Sequence, residues 1–150
     1  MAYPAITIAN YFVRKGLEEN DLEMTPMKVL KLTYIAHGWY LALAGEALIN
    51  EPVEAWRYGP VIPSVYRAFR SYGNSRIEAP YSEVNPLSEE DDKAFLDRVW
   101  EVYKDYTGLQ LSAITHRPNT PWAKNWRAEF HTPIPNGDIK AHYETLAKQA

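Results

Sequence analysis

The chain of 150 residues is 46% apolar and 13% aromatic, which provides a hydrophobic core for one domain of ordinary size. This composition excludes a disordered chain, a coiled coil and a collagen-like fibre. The sequence contains no cysteine, and this excludes disulfides, thiolate metal sites and cysteine nucleophiles. The net charge of -3 excludes a protein-wide positive field that would attract nucleic acid.

Two further features of the sequence bear on where the protein works. Its start, Met1-Ala2-Tyr3-Pro4, lacks the basic and apolar regions of a signal peptide. None of its apolar runs reaches the ~20 residues that a membrane-spanning helix needs. We therefore expect a single cytoplasmic domain over residues 1–150, without a membrane partner.

The clearest predicted element is a helix over residues 26–44. Thr25-Pro26 supplies a capping hydroxyl followed by proline at the first helical position, and Gly45 supplies a stop. Apolar side chains occupy nearly the whole circumference, and Lys28 and Lys31 leave only a narrow polar sector. Such a pattern predicts a buried central helix.

Helical spacing of apolar residues predicts further helices on either side of this one. Their approximate ranges are 6–17, 63–72, 88–107, 112–116 and 137–148. We expect a capping box at Ser88, an end of the long helix at Gly108, and a cap at Ser112. Glycine, proline and polar residues predict a loop at 73–87, and Pro133-Ile134-Pro135 predicts an interruption.

A small β-hairpin is predicted between Ala47 and Tyr58. The apolar pairs and alternating residues at 48–49 and 53–58 are separated by Asn50-Glu51-Pro52. Together these elements predict a mainly α fold with one small β-hairpin, packed as a single compact helical domain.

The sequence offers no set of residues that would support catalysis. His37, His116, His131 and His142 have no metal-ligand spacing, and His37 is expected to be a hydrogen-bonded core histidine. The glycines are dispersed, so phosphate-binding loops are not predicted. The acids at 89–92 fit the first turn of a helix, where the helix dipole favours negative charge. We therefore predict a protein that is not an enzyme and that uses no cofactor or metal.

An arginine-rich segment is the strongest candidate for a binding surface. Residues 55–77 contain Arg57, Arg67, Arg70 and Arg76 and no acid. The interleaved aromatic residues are Trp56, Tyr58, Tyr66, Phe69 and Tyr72. Arginine beside exposed aromatic rings is typical of a protein interface, and an arginine face can also bind nucleic acid. A solvated helix face without a partner is the alternative interpretation.

Two stretches, residues 25–41 and 54–66, resemble the Panacea domain family, the phage-associated group that includes GepA-like and SocA-like proteins. The positions that match the family pattern are Lys31, Leu32, Tyr34, Trp39, Ala55, Trp56, Gly59, Pro60, Val61, Pro63 and Tyr66. A later family feature is matched by Thr115-His116 and Pro121-Trp122. Two collinear motifs make a chance similarity improbable, and the resemblance extends over most of the chain.

The resemblance implies an antitoxin that neutralises a cognate protein toxin by direct binding, with the toxin encoded next to it. For the SocA-like branch it also implies an adaptor that delivers the toxin to an ATP-dependent protease. We expect Arg57, Tyr58, Tyr66, Arg67 and Arg70 to face the toxin. The alternative is a DNA-binding transcriptional regulator of phage or prophage origin that uses the face from Arg57 to Arg76, although the net charge argues against a nucleic-acid partner.

Most of the matching motif residues are expected to maintain the fold. Gly59-Pro60 turns the backbone where a side chain would obstruct it, and Pro63 fixes the start of a helix. Lys31 can bury its stem and donate to a nearby carbonyl or carboxylate. Core packing is the favoured interpretation of Trp39, Trp56 and Trp122, and toxin contact is the alternative. The other residues expected to be structural are Leu32, Tyr34, Ala55, Val61 and Pro121.

Overall fold

A computed structural model describes residues 2–81 and 86–149, so positions 82–85 of the predicted loop lie outside the described residues. The helices are α1 Ala5–Glu18, α2 Pro26–Ala44, α3 Pro63–Phe69, α4 Glu90–Tyr103, α5 Gly108–Thr115, α6 Pro121–Asn125 and α7 Asn136–Gln149. The strands are β1 Val53–Trp56, β2 Gly59–Val61 and β3 Thr132–Ile134. The mainly α fold is confirmed. Within the described ranges, no helix is long and apolar enough to cross a membrane.

Helix α2 is the buried centre of the fold, as predicted. The Thr25 hydroxyl accepts a hydrogen bond from the Lys28 backbone N–H, and Gly45 ends the helix at a φ of 78°. The helix packs against α1, α5 and α7. The predicted polar sector is wrong, because Lys28 and Lys31 are each only 1% exposed. Each ammonium instead finds polar partners inside the protein: Lys28 contacts Asp21 at 2.7 Å.

The β-structure differs from the predicted hairpin. Strand β1 pairs antiparallel with β2 across the turn at Arg57-Tyr58, so Gly59-Pro60 lies in a strand. The segment at 48–49 is outside the hairpin, and Ile49 instead forms an isolated bridge with Tyr3. On its other side β1 pairs antiparallel with β3, which includes Pro133 from the predicted interruption. Proline fits there because β3 is an edge strand of the β2-β1-β3 sheet.

The predicted boundary between the fourth and fifth helices is also wrong. Helix α4 begins after Glu89 without a side-chain cap, so the capping box expected at Ser88 does not form. The helix ends at Tyr103, and Gly108 is instead the first residue of α5. Thr107 caps α5 in a reciprocal capping box, which makes the loop before it short and well defined.

Three side chains have surroundings that the apolar pattern did not predict. Val102 of α4 is 65% exposed although its side chain is apolar, whereas Trp100 is fully buried and donates its indole N–H to Glu19 at 3.0 Å. Ser112 does not cap a helix but lies within α5 and donates to the backbone of the β1–β2 turn. The difference at Ser112 arises because α5 begins at Gly108, before the residue that was expected to cap it.

The contact between α2 and α7 gives a prediction about stability. A Cβ atom built on Gly38 would lie 2.3 Å from Cε2 of Tyr143, whose ring occupies the space beside this glycine. Gly38→Ala is expected to lower the free energy of unfolding by about 2 kcal/mol, because the ring must shift out of a packed core. Urea denaturation measures this change.

Gly137→Ala is the matched control, since a Cβ atom at Gly137 would have no neighbour within 4 Å. The same substitution should there leave stability unchanged or raise it slightly, because alanine favours helix more than glycine. Equal stability of the Gly38→Ala variant and the unsubstituted chain would contradict the tight α2–α7 contact.

Candidate interaction surface

The turn between β1 and β2 presents two exposed side chains, Arg57 and Tyr58, which we call the hairpin tip. Tyr58 is 63% exposed, and the Arg57 guanidinium lies 5.7 Å from its ring centroid. Gly59 follows with a φ of 121°, and a Cβ atom there would lie 2.8 Å from the Lys31 Nζ. The positive φ and the short distance to Lys31 each require glycine at this position. Gly59 of the family motif therefore allows the chain to turn tightly from β1 into β2.

Three side chains from different helices each donate a hydrogen bond to a backbone carbonyl of the hairpin. We call these residues, Lys31 of α2, Ser112 of α5 and Trp122 of α6, the carbonyl clamp. The three bonds are Trp122 Nε1 to Trp56 O at 2.5 Å, Ser112 Oγ to Tyr58 O at 2.7 Å and Lys31 Nζ to Pro60 O at 2.8 Å. The acceptors are alternate residues, so the clamp holds the hairpin on both sides of its tip.

The buried amine of Lys31 is the unusual group of the clamp. Its burial disfavours the charged form and lowers its pKa to about 7. The predicted donation from Lys31 to a carbonyl is confirmed at Pro60. A lysine with this pKa is present in both charge states near neutral pH, and each state can donate a hydrogen bond.

A row of three ring side chains extends from the hairpin to the segment before β3. Tyr66 meets Trp56 edge to face with ring centroids 5.0 Å apart, and His131 stacks on Trp56 with ring centroids 4.1 Å apart. We call these three residues the aromatic row. The Trp56 indole N–H donates to Glu54 at 2.8 Å, which fixes the central ring. Trp56 is half-buried, whereas Tyr66 and His131 are exposed.

The segment 126–131 contributes side chains to this surface that were not predicted from the sequence. Trp126 stacks on Trp122 at 5.5 Å, and Phe130 is 68% exposed. His131 was weighed only as a metal ligand, yet it packs on Trp56. The signal in the sequence was the close spacing of these aromatic residues after Pro121-Trp122. The contact itself depends on the pairing of β3 with β1.

Helix α3 and the residue that follows it present two of the arginines that were expected to face a partner. Arg67 and Arg70 are exposed, while Val65 and Phe69 anchor the opposite side of the helix in the core. Neither of these arginines, nor Arg57, forms an ion pair with any residue in the described ranges. Their guanidinium groups are therefore available to an acidic partner.

Arg76 does not belong to this exposed face, which corrects the predicted face from Arg57 to Arg76. Its side chain is half-buried beyond α3, and its Nε is enclosed without a hydrogen-bond partner among the described residues. The exposed set is therefore reduced to Arg57, Arg67 and Arg70.

The family-motif residues are mostly in the interior. The buried ones are Lys31, Leu32, Tyr34, Ala55, Gly59, Pro60, Val61 and Pro121. Trp39, Pro63 and Trp122 are half-buried, and Trp39 donates its indole N–H to the Tyr103 hydroxyl at 2.9 Å. These positions form the part of the core that supports the hairpin tip and α3.

The histidines do not form a metal centre. Within residues 2–81 and 86–149, no group of three or more histidine and acidic residues could hold a metal ion. His37 is fully buried, accepts the Leu48 backbone N–H at Nδ1 and contacts the Asn136 amide oxygen through Nε2 at 3.0 Å. Burial lowers the pKa of His37, which keeps the ring neutral. The predicted core histidine is confirmed.

Comparison with known proteins identifies the family. The family described as "Antitoxin SocA-like, Panacea domain" matches residues 29–123, which include the hairpin, α3 and all three clamp residues. The chain is 31% identical over 128 residues to Antitoxin SocA of Caulobacter vibrioides, a match that covers 79% of this chain and 68% of that protein. No solved structure matches the chain. The fold, the two motifs and these matches together show that the chain belongs to the SocA-like antitoxins with a Panacea domain.

Proposed function

We propose that the protein is a cytoplasmic antitoxin that neutralises a protein toxin, encoded next to it, by direct binding. The observation that carries the proposal is the exposed surface of three arginines, without ion-pair partners in the described ranges, beside the aromatic row on a chain of an antitoxin family. Arginine and aromatic side chains account for much of the binding energy in protein interfaces. The toxin-facing surface comprises Arg57, Tyr58, Tyr66, Arg67 and Arg70, together with Phe130 and His131.

The chemistry of this surface specifies the kind of toxin surface that it fits. Guanidinium groups form two parallel hydrogen bonds with a carboxylate, so the partner presents aspartate or glutamate opposite Arg57, Arg67 and Arg70. The rings of Tyr58 and Phe130 are largely exposed and fit apolar recesses between those acids. Binding then occludes the part of the toxin that contacts its target.

Co-expression tests the proposed function. The protein encoded by the neighbouring reading frame is expected to arrest growth when expressed alone. Growth should resume when this chain is co-expressed, and the two proteins should copurify as a complex. Rescue of growth without a complex would contradict neutralisation by direct binding. A salt-dependent shift of promoter DNA by the purified chain alone would favour the DNA-binding alternative.

The proposal includes delivery of the toxin to an ATP-dependent protease as a second mode of neutralisation. Delivery and occlusion differ in the lifetime of the toxin. A toxin that is delivered should disappear faster when antitoxin, protease and ATP are all present than when any one is omitted. A toxin that persists in the complete mixture would restrict the mechanism to occlusion.

A further inference from the structure

We infer that the carbonyl clamp, in addition to stabilising the fold, prepares the hairpin tip for its partner. Lys31, Ser112 and Trp122 would then be positioning residues for binding, although none of them needs to contact the partner. This inference rests on the proposed function. It assigns a binding role to interior residues on helices that the toxin-facing surface does not include.

The strands alone cannot order the tip. Strands β1 and β2 contain four and three residues, and a short two-stranded hairpin is marginally stable by itself. Strand β3 supports β1 but does not pair with β2, because the strand order is β2-β1-β3. Additional restraints on the turn must therefore come from outside the sheet.

The clamp supplies these restraints at the positions where the ladder ends. Ser112 bonds the carbonyl of Tyr58, which is itself one of the two turn residues. Trp122 bonds the carbonyl of Trp56, the residue immediately before the tip. Since α5 and α6 each supply one of these donors, the tip is attached to two separate rigid elements.

An ordered tip changes the free energy of binding. A flexible loop must lose conformational entropy when its side chains enter an interface, and this loss weakens the complex. The carbonyls of Trp56 and Tyr58 are bonded before the partner arrives, so the backbone of the tip has already lost this entropy during folding. Removal of one clamp bond should then weaken binding while every residue of the binding surface remains.

Ser112→Ala and Trp122→Phe each remove one donor, and both retain a side chain that fits a helix and a largely apolar site. We expect the order parameters of the Arg57 and Tyr58 amides to fall from about 0.85 towards 0.6 in ¹⁵N relaxation measurements. Affinity for the purified protein encoded by the neighbouring reading frame should fall about five- to tenfold in isothermal titration calorimetry. Lys31 is not substituted in this test, because its burial links it to the whole core.

Ile139→Val is the control for a general loss of stability. Ile139 is fully buried in α7, and its shortening should cost about 1 kcal/mol in unfolding without an effect on the tip. Both its tip order parameters and its affinity should equal those of the unsubstituted chain. An affinity loss in this control as large as in the clamp variants would overturn the inference, because stability alone would then explain it.

The other outcomes separate the inference from the proposed function. Unchanged tip order or unchanged affinity in both clamp variants overturns the inference and leaves the proposed function intact. An unsubstituted chain that does not bind the neighbouring protein overturns the proposed function, and the inference with it. A fall in both quantities, confined to the clamp variants, supports the inference.

Discussion

A chain that carries both Arg67→Glu and Arg70→Glu is expected to lose its protection against the toxin. Arg67 is exposed on α3 and Arg70 is exposed directly after its last residue, and neither guanidinium group has an ion-pair partner among the described residues. Reversal of their charge would place carboxylates opposite the acids that we propose on the partner, which would replace attraction by repulsion. We expect affinity to fall by about a hundredfold or more, equivalent to about 3 kcal/mol. Titration calorimetry and growth after co-expression measure the two effects.

Arg98→Glu is the matched control for this pair. Arg98 is also exposed, but it lies on α4, outside the proposed toxin-facing surface. Its reversal should leave both affinity and protection unchanged, and circular dichroism should show the same helix content in all variants. Full protection by the Arg67→Glu, Arg70→Glu chain would remove α3 from the toxin-facing surface.

The elements that were predicted correctly are those whose limits are determined by residues within or next to the element itself. Thr25, Pro26 and Gly45 define the ends of α2, and each acts through its own backbone preference. Apolar residues on nearly all sides of α2 indicate that the helix is buried, even when the elements that pack against it are not known. The pairing of β3 was not predictable in this way, because Thr132 is opposite Ala55, and no pattern within three residues specifies such a distant partner.

The candidate surface also combines residues that were predictable from the local sequence with residues that were not. Arg57, Tyr58, Arg67 and Arg70 were selected because they crowd one segment, and the structure places all four at exposed positions. His131 reaches Trp56 only because β3 aligns beside β1, so its place in the surface required the tertiary structure. The carbonyl clamp was also not predictable from the sequence. A serine within a helix does not indicate that its hydroxyl donates a hydrogen bond to the backbone of a distant turn.

The predicted boundary between α4 and α5 was wrong for a different reason. Glycine after an apolar run usually ends a helix, and this preference placed the end of α4 at Gly108. The competing signal was Thr107 with Gln110, whose side chains exchange hydrogen bonds with the backbone at the start of α5. Two bonds in a capping box outweigh the weak preference of a single glycine that lies in the first turn.

The buried amine of Lys31 is expected to make the protein more stable in mildly alkaline solution than at neutral pH. Its pKa is about 7 in the folded chain, against 10.5 when exposed, because burial disfavours the ammonium. Between these two values the unfolded chain binds more protons than the folded chain, so the free energy of unfolding rises with pH. The rise should reach about 3 kcal/mol between pH 7 and pH 9.5.

Other groups set the limits of this pH range. Burial lowers the pKa of His37 and His142, and their effect on stability is complete below pH 7. Burial raises the pKa of Tyr34 and Tyr143 above 10, so the unfolded chain loses these protons first and stability falls above about pH 10. Stability should therefore be greatest at about pH 9 to 10, well above the range usual for proteins.

Lys31→Met isolates the contribution of the buried amine. Methionine is close to lysine in length but does not titrate, so the rise between pH 7 and pH 9.5 should disappear from its urea-denaturation curves. Lys148→Met, which removes an exposed lysine from α7, should retain the rise. A constant free energy of unfolding in the unsubstituted chain across this range would show that the amine keeps its charge in the folded state. In that case Pro60 O would accept from a fully charged ammonium, and the carbonyl clamp would contain a buried ion throughout the neutral range.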